Sequence, residues 1–225
     1  MIRKSVTAEV FMKIAVIGTG SVGGTLGRRW AELGNSVCFG VRDLSDVDAR
    51  ALVGKIKGDA RLANTRDAVK DADVVVLATP YAANAAVIAS AGDLASKILI
   101  DVTNPIDAKL ALAVGFNTSG AEEVAKLAPH ARVFKTLNQV GFEVMENSAF
   151  TAGRPVMFVA GDDAAGKKVV LELVSALGFE AIDAGELAIA RLIEPYGALW
   201  IHLMAHCNMG RSFAFLDCCG GEYGG

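Results

Sequence analysis

The sequence predicts an α/β fold of the Rossmann type, a doubly wound, mainly parallel sheet of about seven to eight strands with a C-terminal helical extension. Three observations carry that prediction. Short apolar runs alternate with amphipathic stretches, the order that a parallel sheet covered by helices requires. The runs "VVVLA" and "ILIDV" are apolar almost throughout, as strands buried on both faces must be. The stretch "KIAVIGTGSVGG" sets Gly18, Gly20 and Gly23 in G-x-G-x-x-G register between a strand and a helix.

Taken in order, strands are expected at Ile14–Ile17, Val37–Phe39, Val74–Ala78, Ile98–Val102, Arg132–Lys135, Val156–Ala160 and Glu180–Ile182, with a weaker one near Ala60–Ala63. Val22, Leu26, Trp30 and Leu33 form one helical stripe that Gly34 ends. Ala121–Ala128 and Ala164–Leu177 repeat the pattern. After Gly185 the texture becomes a helical block, apolar around most of its circumference and expected to break or kink at Pro195. Such a block must bury itself against the sheet, a partner subunit or both. The expected organisation is an N-terminal extension over 1–11, a nucleotide-binding domain over 12–185, the helical block over 186–216 and a flexible tail over 217–225.

The 225 residues, 52% apolar with only 5 prolines, suffice for one sizeable core. A net charge of −3 leaves no electrostatic footprint for nucleic acid or an anionic membrane. Cys38, Cys207, Cys218 and Cys219 lack metal-ligand spacing, so reduced thiols are expected. His202 and His206 lie four apart, without a third ligand at convincing spacing, and no metal site is expected. Residues 1–11 lack the apolar core of a secretory signal, and Met12 is an alternative start. No apolar run is long enough to span a bilayer, and the expectation is a soluble cytoplasmic protein.

Each glycine of the phosphate loop has a physical task. Gly18 makes the tight turn, Gly20 admits the pyrophosphate to the backbone, and Gly23 lets helix and strand approach. Thr19, Ser21 and Val22 complete the loop, where unpaired N–H groups at the helix start favour a phosphate. The second strand ends in "CFGVRD" and leaves a choice. Asp43 lies about 20 residues past Gly23, where an acid grips the ribose of NAD. By strand position, Gly40 and Val41 occupy the usual acid site, and Arg42 offers a donor fork to the 2′-phosphate of NADP. Composition leaves both open.

"KIAVIGTGSVGGTLGRRWAELGNSVCFGVRD" resembles the NADP-binding end of the coenzyme F420-dependent NADP oxidoreductases, and more distantly the oxidoreductase domain of the STEAP metalloreductases. The likeness continues through "LATPYAA", "DVTNP", "VFKTLNQVGF", "IDAGELAIARLIEP" and "NMGRSFAFL", from about Lys13 to Leu216. In that family the second strand typically ends glycine-serine-arginine-arginine and holds the 2′-phosphate. Gly40, Val41, Arg42 and Asp43 stand there, so only the glycine and one arginine are kept. The resemblance implies NADP(H), with Val41 and Arg42 at its phosphate, and a homodimer.

Thr79-Pro80-Tyr81, Thr103-Asn104-Pro105 and Thr136-Leu137-Asn138 follow three strand ends, where ligands bind in doubly wound sheets. The resemblance puts the nicotinamide there, beside Ala78, Thr79, Pro80 and Pro105, with Asn104 and Asn138 as polar contacts. Leu137, Trp200, Met209 and Gly210 are candidates to line a second ring. No Tyr-x-x-x-Lys pair occurs, since Tyr81 is followed by Ala85 and Tyr196 by Trp200. Hydride exchange with a flavin-type ring needs alignment and a dry site rather than a side-chain acid, so no catalytic acid or base is expected. The implied activity moves hydride between NADP(H) and deazaflavin coenzyme F420. A flavin or ferric-chelate reductase and a non-catalytic NADP(H)-sensing regulator are the alternatives.

Overall fold

Strand β1 (Lys13–Ile17) lies at the centre of the sheet and feeds α1 (Ser21–Glu32) through the glycine loop. The computed structural model describes residues 11–217; most of the expected N-terminal extension, Cys218-Cys219 and the rest of the tail lie outside the described residues. The chain continues through β2 (Ser36–Val41), α2 (Val47–Lys55), β3 (Ala60–Asn64) and α3 (Thr65–Lys70). It then crosses to β4 (Val74–Leu77), α4 (Asn84–Ala91), β5 (Ile98–Asp101), α5 (Gly120–Leu127) and β6 (Arg132–Lys135). The short α6 (Phe142–Glu146) leads to β7 (Arg154–Gly161), α7 (Ala164–Ala176) and β8 (Glu180–Gly185). Helix α8 (Ala190–His206) and the two-residue β9 (Leu216–Asp217) complete the described chain.

The sheet order is β3-β2-β1-β4-β5-β6-β7-β8, with β9 paired to β7. Pairing is parallel except where β7 meets β6 and β9. The order reverses between β1 and β4, which opens a crevice at their carboxyl ends.

Alternation along the strands divides the core between the two faces. Ile14, Val16, Val74 and Val76 join Leu26, Trp30, Phe134 and Phe179 in one cluster. Ala15, Ile17, Val75 and Leu77 join Val69, Leu99 and Val124 in the other. The Trp30 indole N–H donates to the Leu173 carbonyl at 3.1 Å and ties α1 to α7. Gly27 permits that packing, since a Cβ there would stand 2.4 Å from the Phe39 ring.

Every expected strand forms, and β9 is added. Helices α2, α3, α4 and α6 escaped the apolar periodicity for a physical reason. Of α2 only Ala49 is buried, α3 and α6 span one or two turns, and α4 packs through small residues. The break expected at Pro195 is not seen, because α8 runs through it as a single helix. Proline there forgoes one backbone bond, to the Arg191 carbonyl, close enough to the helix start for the buried side to hold the turn together. Asp217 belongs to β9 rather than to the tail in which it was expected.

Candidate dinucleotide site

The phosphate loop has the geometry that its glycines require. Gly18 adopts φ +113°, and a Cβ there would lie 2.6 Å from the Ala78 carbonyl oxygen. At Gly23 a Cβ would lie 2.2 Å from the Gly18 carbonyl oxygen, so helix and turn could not meet. Around Gly20 a Cβ would meet nothing within 4 Å. That open space stands over the first turn of α1, which has neither a side-chain cap nor an acid. Unfilled backbone donors at a helix start, with no carboxylate to compete, suit a phosphate. A hollow of about 240 Å³ adjoins them, lined by Thr19, Gly20, Ser21, Thr25 and Arg28 among others. The residues present therefore fit a dinucleotide pyrophosphate.

At the end of β2 the two rival residues separate. The Asp43 carboxylate accepts from the Ser45 backbone N–H at 2.8 Å and from the Ser45 hydroxyl at 2.6 Å. Those bonds, the hydroxyl first, hold its pKa below the ordinary aspartate value. Asp46 then caps α2 by accepting from Asp48 and Ala49, and Arg50 bonds the Leu44 carbonyl at 2.7 Å. Asp43 is thus a turn residue of the β2–α2 loop. Arg42 is exposed and has no hydrogen-bond or ion-pair partner among the described residues. Val41 is buried, and a Cβ on Gly40 would crowd the Ile17 Cδ1 at 2.6 Å.

The strand ends hide a charged network. Asp101, Lys135 and Glu194 are all fully buried. Lys135 Nζ lies 3.0 Å from Asp101 Oδ2 and 3.3 Å from Glu194 Oε1, and it also donates to the Thr103 carbonyl. Glu194 reaches from α8 and accepts from the Gly120 and Ala121 N–H groups at 2.8 and 3.0 Å, capping α5. Burial pushes the Glu194 carboxyl up, against the pull of Lys135 and these two N–H groups. Asp101 Oδ1 accepts from the Thr103 N–H and hydroxyl, and Asn84 donates from its amide to the Thr103 hydroxyl at 3.1 Å. Thr79 lies beyond, its hydroxyl 3.4 Å from Asn84 Oδ1.

Asn104 and Asn138 come together above this network. Asn104 donates to the Asn138 carbonyl at 3.1 Å, and Asn138 donates to Asn104 Oδ1 at 3.0 Å. Helix α8 presses on the pair at Gly197, where a Cβ would fall 2.7 Å from Asn104 Oδ1. Leu137 has φ +58° and is fully buried between Thr136 and Asn138. The Thr136 hydroxyl beside it is buried without a partner among the described residues. Tyr81 donates to Glu123, and burial followed by that bond holds its phenol above the ordinary tyrosine pKa. Burial likewise pushes Tyr196 up to about 12.

Beyond α8 the chain folds back toward these strand ends. Trp200 is buried, stacks on Phe213 at 5.0 Å and donates to its carbonyl at 3.0 Å. Arg211 pairs with Glu143 and lies over the Phe142 ring, which tethers the returning loop to α6. Met209 and Gly210, at the exposed tip of that loop, project into open surroundings. His202 and His206 are exposed, with ring centroids 4.9 Å apart. Asp101, Lys135 and Glu194 were missed in the sequence. The signal for the first two was a charged residue ending an otherwise buried strand; for Glu194 it was an acid inside an apolar helix.

A glycine loop at a sheet's switch point, followed by a helix start free of carboxylates, defines a Rossmann-type dinucleotide-binding protein. Residues 13–105 match the family described as NADP oxidoreductase, coenzyme F420-dependent. The F420-dependent NADP reductase of Methanothermobacter thermautotrophicus is 34% identical over 210 residues, covering 85% of this chain and 89% of that one. A solved structure from Arthrobacter sp. FB24, described as a candidate F420-dependent NADP reductase, is 32% identical with a TM-score of 0.80. It covers 89% of this chain and 96% of that one. The metalloreductase STEAP3 of Rattus norvegicus is 29% identical over 182 residues, 81% of this chain, which spans only 36% of that relative's length. The chain belongs to the coenzyme F420-dependent NADP oxidoreductase family, and with it to the NADP-dependent oxidoreductases.

Proposed function

We propose that this protein transfers hydride between NADP(H) and a deazaflavin of the coenzyme F420 type. The observation that carries the reading is the reach of the likeness, which covers 89% of the archaeal reductase rather than stopping at the nucleotide loop. Gly18, Thr19, Gly20, Ser21, Val22 and Gly23 would hold the pyrophosphate through main-chain N–H groups. Arg42 would take the 2′-phosphate. Ala78, Thr79, Pro80, Asn104, Pro105 and Asn138 would border the nicotinamide, and Met209 and Gly210 the second ring.

When bound, the two cofactors supply the redox chemistry, a hydride from one ring to a carbon of the other. The chain's own part is alignment and exclusion of water. Among the described residues, the buried carboxylates of Asp101 and Glu194 accept from neighbouring donors, and burial favours the protonated phenols of Tyr81 and Tyr196. We also propose a homodimer, for which the outward apolar residues Leu192 and Leu199 of α8 are the candidate seam.

The test is a stopped spectrophotometric assay of NADPH with oxidised deazaflavin. Loss of the deazaflavin absorbance is expected, and no turnover at saturating NADPH overturns the proposal. The likeness to STEAP3 favours a second reading, reduction of a flavin or a ferric chelate. The same assay with FMN, FAD and ferric chelates decides between them. Rapid hydride transfer to any of these acceptors removes a purely NADP(H)-sensing role.

A further inference from the structure

Asp101, Lys135 and Glu194 place two carboxylates against one ammonium in a region with no exposed surface. Both oxygens of Glu194 face donors, Gly120 N–H on one and Ala121 N–H and Lys135 on the other, which favours the carboxylate against the upward push of burial. Asp101 shows the same donor pattern, with Thr103 on one oxygen and Lys135 on the other. The cluster therefore carries one excess negative charge. The start of α5 offsets about half a unit of it. The other charges packed nearby do not complete the neutralisation. Glu122 is bonded twice by Arg191, Glu123 accepts from Tyr81, and all three charged groups reach solvent, where their fields are screened.

A buried excess charge is costly unless a further charge relieves it. Two strand ends carry this one. Asp101 and Lys135 are the last residues of β5 and β6, and the polar segments Thr103–Asn104 and Thr136–Asn138 follow directly. Lys135 holds the Thr103 carbonyl, and Asn84 extends the chain of bonds toward Thr79. Nicotinamide is the one part of the proposed cofactor whose charge changes. Its ring is cationic when oxidised and neutral when reduced.

We infer that the Asp101–Lys135–Glu194 network biases the bound cofactor toward its oxidised form, favouring hydride donation from NADPH over hydride acceptance by NADP⁺. The inference rests on the reading that NADP(H) is the cofactor of this site. In the favoured direction the hydride leaves the nicotinamide with both electrons, and the ring becomes cationic. The acceptor, a deazaflavin or flavin, takes the hydride and one proton from solvent. The three residues are positioning residues that act through their field rather than by contact.

The experiment measures dissociation constants for NADP⁺ and NADPH separately, by fluorescence titration of the full chain, with no acceptor present. Glu194→Gln and Asp101→Asn each remove one negative charge, from opposite sides of Lys135. Each is expected to weaken NADP⁺ by about tenfold relative to NADPH, the order that one unit charge exerts across roughly 10 Å of protein. The double variant Lys135→Met/Glu194→Gln restores the net charge and is expected to restore the wild-type ratio. A folding defect in one variant leaves the other to decide. Parallel weakening of both nucleotides, or an unchanged ratio in the single variants, overturns the inference while leaving NADP(H) as the cofactor. Failure of the wild-type protein to bind either nucleotide overturns the cofactor reading, and the inference with it.

Discussion

Replacing Arg42 by alanine tests which residue at the end of β2 reads the cofactor. The guanidinium is exposed and has no partner among the described residues, so its removal should change stability by no more than about 0.5 kcal/mol. Its one expected bond is to a phosphate. A charge-assisted hydrogen bond of this kind contributes about 1.5–3 kcal/mol, which is roughly a 10- to 150-fold rise in the NADPH dissociation constant. NADH has no 2′-phosphate, and its affinity should change by less than about twofold, since nothing it offers requires Arg42. Fluorescence titration with both nucleotides, beside a thermal melt, reads all three quantities. Equal losses for NADPH and NADH would refute the argument and return the role to Asp43. A companion change, Asp43→Asn, keeps an acceptor for Ser45 and so keeps the turn. It should leave NADH binding unaltered, and a loss would show that the carboxylate does grip the ribose.

Three further outcomes follow from the packing. Lys135→Met strands two buried carboxylates and should lower unfolding stability by about 3–5 kcal/mol, read as a fall in the denaturation midpoint at unchanged slope. Gly197→Ala puts a methyl 2.7 Å from Asn104 Oδ1 and 2.8 Å from the Asn138 carbonyl. It should cost about 1–3 kcal/mol and lift α8 from the strand ends, weakening both nucleotides together. Glu122 is bonded by Arg191 and Ser119, Arg191 being the larger cause of its lowered pKa. A depressed folded pKa gives stability that is present above the unfolded value, about 4.3, and is lost as pH falls through the folded one. Glu122→Gln should therefore flatten the acid limb of a melting-temperature profile below that pH, by a small amount because the pair is partly exposed.

Local chemistry made most of the sheet legible. Strands such as Val74–Leu77, buried on both faces, need continuous apolar residues, and a tight turn under a phosphate needs glycine at fixed spacing. Those demands are written within a few residues of one another, so the fold class, the strand positions and the nucleotide loop could be read directly. Helices without a full apolar stripe could not, and neither could the passage of α8 through Pro195, which its buried side decides.

The site divides along the same line. The sequence by itself determined that a dinucleotide loop exists and that Arg42 and Asp43 compete at the end of β2. Only the tertiary structure shows that Asp43 spends its carboxylate on Ser45 while Arg42 stays exposed, an arrangement set by the path of the loop into α2. The structure alone brought Asp101, Lys135 and Glu194 together, across 34 residues for the first pair. Spacing cannot report such a meeting, because charged groups from β5, β6 and α8 become neighbours only when the sheet is assembled and the last helix closes over its strand ends.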